Sequence, residues 1–396
     1  MKEFLIGINY LPQKKGFFFW NNFEHDEIRK DLAIIAEYGF NPVRIFLLWD
    51  SFQPTPKKIS VNALKSLVDL AEIAYEMELK ILPTLFVGHL RGINYLPAWI
   101  VKTTTEKSRF PAFVNGELGY YKVYNFFEDR EMMNYQKLFV KEVVNALYGH
   151  PAIWGWDLGN ELSNIVISPT KDSALIWIDK MIEEIKRKDE DHPVTLGLSQ
   201  TDLEEDRNLG LKEAARLCDI ISIHLYPFHI SWAKKPLDEK VVLLFALISR
   251  WISGKEILIE EIGVPTKPKD ITLSIDQKTP IFSEKETEKF YTQTLSLLKK
   301  HGFIGTIFWC FGDYDKELWS YPPFNDNINE RFFGLFTMDK LPKSYLFAIK
   351  DTKREKQDFS QKSIDWIDIT LEDFYRSPKK HLIRLYEKMD EVEHLI

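Results

Sequence analysis

A closed (β/α)8 barrel is the fold class this sequence predicts, on three observations. Eight short apolar runs alternate with helix-period stretches from one end of the chain to the other. The runs are near-continuous in Val, Ile, Leu and Phe rather than alternating, as parallel strands covered on both faces require. The turn after the first run reads Asn9-Tyr10-Leu11-Pro12, not the glycine-rich phosphate loop that opens a doubly wound open sheet.

The predicted strands are residues 4–10, 42–49, 80–88, 152–161, 193–199, 218–226, 256–263 and 302–310. Between them, helix-period stretches cover 26–38, 60–78, 130–148, 171–188, 209–217, 237–251 and 283–301. Ser60 is placed as an N-cap for the second of these, and Gly39 as a stop for the first. Every strand but the last is followed by a clear helix. A barrel of this kind needs about 250 residues, so a chain of 396 carries long excursions, at 89–129, 266–282 and 311–343. Each follows the C-terminal end of a strand, the face on which such barrels build active sites. Aromatics stud these segments, or carboxylates flank them, so they are expected to wall a cleft. With no Pro/Ser/Gly-rich linker and no repeat beyond βα itself, the chain reads as one barrel over 1–350. A charged extension follows over 351–396, helical from 371 and packed on the barrel exterior.

Composition narrows the partners. Lys and Arg number 52 against 59 Asp and Glu, a net charge of −7, with no basic stripe along a helix face; nucleic acid is therefore not an expected partner. Cys218 and Cys310 are too few and too far apart for a disulfide framework or a cysteine zinc site. No His/Asp/Glu grouping has metal-ligand spacing, so neither a metal nor another cofactor is expected. No stretch reaches the ~20 apolar residues of a membrane span, and the opening apolar run stops at Asn9, short of an export signal. The expectation is a cytoplasmic protein. Aromatic residues make up 14% of the chain; most must fill a large core, but some suit a groove in which flat rings stack on sugars.

Two strand ends carry chemistry. The fourth, Ala152-Ile-Trp-Gly-Trp-Asp-Leu-Gly-Asn160-Glu161, is apolar until it finishes in an amide and a carboxylate. The seventh, Glu256-Ile-Leu-Ile-Glu260-Glu261-Ile-Gly263, finishes in a carboxylate pair. Ends of different strands face one another across a barrel mouth, and glycosidic hydrolysis requires two carboxyl groups so placed. One protonates the leaving oxygen; the other attacks the anomeric carbon or activates water. Pleating allows only one of Glu260 and Glu261 to point inward.

These residues are recognisable. The chain resembles clan A glycoside hydrolases, and within them glycoside hydrolase family 5, over roughly residues 4–309. Asn160-Glu161 is similar to the family's Asn-Glu ending strand four, where Glu is the acid/base. Glu261-Ile262-Gly263 is similar to its Glu-x-Gly on strand seven, where Glu is the nucleophile, which selects Glu261 over Glu260. The resemblance further implies that Arg44 braces the nucleophile, that Tyr226 hydrogen-bonds it and that His224 lines the site. It places Trp309 under the sugar being cleaved and Asn160 on its 2-hydroxyl. His89 follows Phe-Val-Gly where many members carry a strand-three His, although Gly88 and Arg91 depart from the usual surroundings. Trp20 and Trp49, just after strands one and two, are placed to line a subsite.

The opening Gly-Ile-Asn-Tyr-Leu-Pro, the run Phe17-Phe-Phe-Trp20 and the segment from Arg44 to Pro54 resemble the mannan-directed branches, above all the β-mannosidases. The implied function is a retaining β-glycoside hydrolase acting on β-mannosides or manno-oligosaccharides, exo-acting if the excursions close one end of the cleft. The partner expected is an oligosaccharide or polysaccharide. An endo-β-1,4-mannanase or a β-1,4-glucanase is the alternative within the class. A sugar-binding barrel without catalysis is the distant one, because such proteins usually lose one of the two carboxylates and both stand here.

Overall fold

The computed structural model describes residues 3–102, 106–268, 280–354 and 363–391. Eight parallel strands close into a barrel: β1 (Leu5–Tyr10), β2 (Val43–Leu48), β3 (Ile81–Val87), β4 (Trp156–Asn160), β5 (Val194–Ser199), β6 (Ile221–Leu225), β7 (Ile257–Ile262) and β8 (Gly305–Phe308). The ring shuts between β1 and β8, where Leu5 pairs with Gly305. A Cβ at position 305 would stand 2.4 Å from the Leu5 carbonyl oxygen, so closure takes place at a residue that has none. Outside the strands lie helices α1 (His25–Glu37), α2 (Val61–Glu76), α3 (Arg130–Ala146), α4 (Lys171–Lys186), α5 (Leu211–Leu217), α6 (Glu239–Ser253) and α7 (Glu284–Lys300). Ser60 caps α2 as expected, accepting from the Ala63 amide at 3.2 Å.

Three features depart from the sequence reading. Strand eight does have its helix, α8 (Tyr345–Arg354), packed on α7 with Tyr345, Leu346 and Ile349 buried. It begins only after the long third excursion, which hides its pairing with the strand. Strand four is shorter than predicted at both ends: Ala152 lies in a turn, Ile153 makes only an isolated bridge to Ile81, and Glu161 has left-handed backbone (φ 48°) that ends the strand. The first excursion holds its own four-stranded sheet of His89–Leu90, Ile93–Tyr95, Ala112–Val114 and Glu117–Gly119. Two of its turns have positive φ at both central residues, Arg91-Gly92 and Asn115-Gly116, as tight hairpins demand. Of the second excursion, residues 269–279 lie outside the described residues.

The extension forms two helices, α9 (Leu371–Arg376) and α10 (Pro378–Glu391), the latter lying on α6; residues 392–396 of the expected helix lie outside the described residues. Leu382, Leu385, Tyr386 and Met389 are buried there. The Tyr386 hydroxyl donates to the Asp238 carboxylate at 2.5 Å, and Lys240 reaches Asp390 at 3.0 Å. Leu385→Ala is therefore expected to lower unfolding free energy by about 2–5 kcal/mol, read as a lowered urea midpoint with one transition. An unchanged midpoint would mean the extension does not fold with the barrel. Among the described residues no helix is long and apolar enough to cross a membrane.

Candidate active site

The strands deliver one buried charged layer to the mouth of the barrel. Arg44, fully buried on β2, is its hub. Its Nη1 donates to Glu261 Oε1 at 2.6 Å and to Asn9 Oδ1 at 3.2 Å. Nη2 donates to Asp157 Oδ2 and to Asn160 Oδ1, both at 2.8 Å. The other oxygen of Glu261, Oε2, accepts from the Tyr226 hydroxyl at 2.6 Å. Bonds of this charge-assisted kind are short and strong, and they fix the carboxylate of β7 with one oxygen toward each donor.

Glu161 faces it. Its left-handed backbone is strained for a residue with a side chain, a feature that clusters at functional sites. Oε2 accepts from Asn164 Nδ2 at 2.8 Å, and Oε1 lies 2.9 Å from His224 Nδ1. His89 Nε2 stands 3.8 Å from Glu161 Oε2, while its Nδ1 is held 2.7 Å from Asn94 Oδ1. Asn160 donates from Nδ2 to the His89 carbonyl at 2.8 Å, which ties the ends of β3 and β4 together. One donor atom each from Glu161, His224 and Glu261 lie within 4.8 Å of one another. That spacing would also suit a cation, but Arg44, Tyr226 and Asn164 already donate to these carboxylates.

Burial pulls the His224 imidazole down, but the charge of Glu261 and the bonds to Glu161 and Glu260 outweigh it and push His224 up to about 10. Conversely, burial would raise Glu161, and the hydrogen bond and charge of His224 overcome it, lowering Glu161 to about 2. These opposite shifts favour the shared proton on the imidazole.

Glu260 is a correction. It was expected to face away from the barrel if Glu261 faced in, yet it is fully buried, 3.2 Å from His224 Nε2 and 3.4 Å from Arg44 Nη2. The register explains it: Ile223 pairs with Ile259 but His224 pairs with Glu261, so Glu260 is the extra residue of a bulge and both neighbours turn inward. Asp157, on β4 under Arg44, was also missed; burial and the Glu260 charge push it up to about 6.

Trp309 lines the cleft, with the Arg91 guanidinium 4.8 Å over its ring. Arg91, from the first excursion, also pairs with Glu330 from the third. Trp20 is a second correction. It does not line the cleft but packs on Phe52 and Phe23 and donates from Nε1 to the Phe46 carbonyl at 2.6 Å. Trp49 is likewise core, against Phe86, Trp99 and Phe126. The cleft itself encloses about 940 Å³. His89, Asn160, Glu161, His224, Tyr226 and Glu261 all line it.

No family model matches the chain. The probable mannan endo-1,4-beta-mannosidase A-2 of Aspergillus terreus is 25% identical over 244 residues, covering 58% of this chain and 54% of that relative. The match thus spans about half of the relative's length. Among solved structures, a GH5_18 from Streptomyces cattleya in complex with GlcNAc superposes with a TM-score of 0.81 at 20% identity, over 99% of this chain and 92% of its own. The exo-beta-1,4-mannosidase Op5Man5 from Opitutaceae bacterium strain TAV5 gives 0.74 at 22% identity, over 89% of this chain and 59% of its own. The chain therefore has the (β/α)8 fold of these glycosidase barrels.

Proposed function

We propose that this protein is a retaining β-glycoside hydrolase of family 5 that acts on β-mannosides and manno-oligosaccharides and releases mannose from the chain end. The observation that carries this reading is the approach of Glu161 and Glu261 across the barrel mouth, where their nearest carboxylate oxygens come within 4.8 Å of each other. Retaining enzymes hold their carboxyl groups about 5–5.5 Å apart, whereas inverting ones leave about 6.5–9.5 Å for a water molecule. Glu261, held by Arg44 and Tyr226, attacks the anomeric carbon. Glu161 protonates the leaving oxygen and then takes a proton from the water that releases the sugar. Asn160 lies beside the position of the 2-hydroxyl, and Trp309 forms the floor under the ring. The catalytic unit is the barrel, proposed to span 1–350, with helices α9 and α10 of the extension packed on it.

The choice of mannose is supported by the mannosidase names of the relatives and by a Streptomyces cattleya GH5_18 variant solved with Manb1-4GlcNAc. Exo action is supported by the Arg91–Glu330 pair, which joins the first and third excursions at the wall of the cleft. A time course on mannohexaose, with cellohexaose in parallel, tests both points. Mannose alone at the earliest points is expected. A spread of dimers to tetramers would replace exo with endo action, and cleavage of cellohexaose alone would overturn the sugar.

A further inference from the structure

We infer that Glu260 is a positioning residue for the catalytic proton: acting through His224, it holds one proton beside Glu161, which gives that proton up and regains it in each catalytic cycle. The inference rests on the hydrolase reading above. Its geometry is a line of three side chains. Glu260 Oε2 lies 3.2 Å from His224 Nε2, and His224 Nδ1 lies 2.9 Å from Glu161 Oε1. An imidazole with a carboxylate at each nitrogen donates to both only as the imidazolium. The second carboxylate thus makes His224 a proton store rather than a neutral wall residue.

The chain makes room for this contact twice over. The bulge in β7 turns Glu260 inward beside Glu261. On β5, a Cβ at Gly197 would meet Glu260 Oε2 at 2.8 Å and His224 Nε2 at 2.9 Å, so only glycine leaves space for the pair. A purely structural partner for Arg44 is not needed here, since Asp157, Glu261, Asn160 and Asn9 already accept from its guanidinium. The charged groups facing His224 are Glu161, Glu260, Glu261 and Arg44. Those acting on Glu161 from the other elements are His89, His229 and Asp202, with Arg207 behind them.

In the first half-reaction the His224 Nδ1 proton passes to the Glu161 carboxylate and on to the glycosidic oxygen. That C–O bond breaks with its electron pair left on the oxygen, and a Glu261 oxygen bonds the anomeric carbon. In the second, water attacks that carbon, its proton returns to Glu161 and then to His224, and the Glu261–carbon bond breaks with its electron pair returned to the carboxylate. Glu260 stays ionised throughout.

Removing the Glu260 charge makes the shared proton easier to lose, so the basic limb of the pH profile must fall to lower pH. The test measures kcat/KM against pH for Glu260→Gln on two substrates. One is mannobiose, whose leaving sugar needs a proton; the other is 2,4-dinitrophenyl β-mannoside, whose phenolate does not. On mannobiose the basic limb is expected to drop by about one pH unit, with about tenfold lower kcat/KM at pH values above the wild-type limb, while the dinitrophenyl substrate changes less than about twofold. Glu260→Asp, which restores the charge, is expected to bring the limb back. Equal losses on both substrates, or an unmoved limb, would overturn the inference in favour of a structural role. Nitrogen-15 spectra of the wild-type imidazoles give an answer even if the Gln variant fails to fold. His224 protonated on both nitrogens at pH 7 is expected, and a neutral ring there would overturn it. Wild-type protein inactive on every β-glycoside would instead overturn the hydrolase reading, whatever the spectra report.

Discussion

Glu261→Gln is expected to lower kcat on an aryl β-mannoside by about 10⁴-fold or more while leaving the protein folded. The loss follows from chemistry: an amide oxygen does not form the glycosyl ester, and removing the nucleophile of a concerted catalytic unit costs nearly the whole of its rate enhancement. The fold survives because a Gln side chain still meets both partners. Its oxygen accepts from Arg44 Nη1, 2.6 Å from the native Oε1, and its amide nitrogen donates toward the Tyr226 oxygen, 2.6 Å from Oε2. A paired variant, Glu161→Ala, separates the roles. It is expected to keep attack on a dinitrophenyl substrate but to stall at release of the sugar, and azide, which needs no general base, restores turnover with a β-configured product. An α-configured azide product from that variant would reverse the assignment of the two glutamates. Full turnover by Glu261→Gln would remove Glu261 from the mechanism altogether.

The barrel and its two carboxylates were legible because both depend on strong local signals. Buried parallel strands read as continuous apolar runs, and a Glu that interrupts such a run at its C-terminal end is conspicuous. What the sequence concealed lies where a local rule is broken. With Glu261 taken as inward from the resemblance, strict two-residue alternation puts Glu260 on the outer face, and a one-residue bulge set by pairing with β6 reverses it. Asp157 stands between Trp156 and Leu158 like any strand residue, and only the long reach of Arg44 from β2 gives it meaning. Trp20 and Trp49 were placed by the strand they follow. But residues Gly16–Asn21 coil into a 3-10 helix whose Phe17, Phe19 and Trp20 turn into an aromatic layer, and Trp49 opens a single helical turn facing inward. One signal was present and unread: Asn115-Gly116, the dipeptide most suited to a two-residue hairpin, marks the small sheet of the first excursion.

Arg44→Met should be the most destabilising single change in the site. Arg44 is fully buried and faces Asp157, Glu260 and Glu261 at 2.8, 3.4 and 2.6 Å. A methionine fills much of the volume but leaves three carboxylates out of water with only His224, Tyr226 and neutral amides to answer them. Breaking a buried pair from one side costs about 3–5 kcal/mol, to be read from urea unfolding at pH 8. The deficit should depend on pH in a definite direction. Burial raises Asp157 to about 6 even with Arg44 pulling the other way, while Arg44 and His224 hold Glu260 below its ordinary value. A carboxyl raised on folding contributes stability that is full below its unfolded pKa, about 3.9 for Asp, and is lost as pH rises through the folded one. Without Arg44 the carboxyls rise further, so the variant loses more stability than the native protein between pH 5 and pH 8. Its deficit is expected to shrink at pH 5, where protons replace the missing cation. An equal deficit at both values would mean that packing around the guanidinium, rather than its charge, holds this layer together.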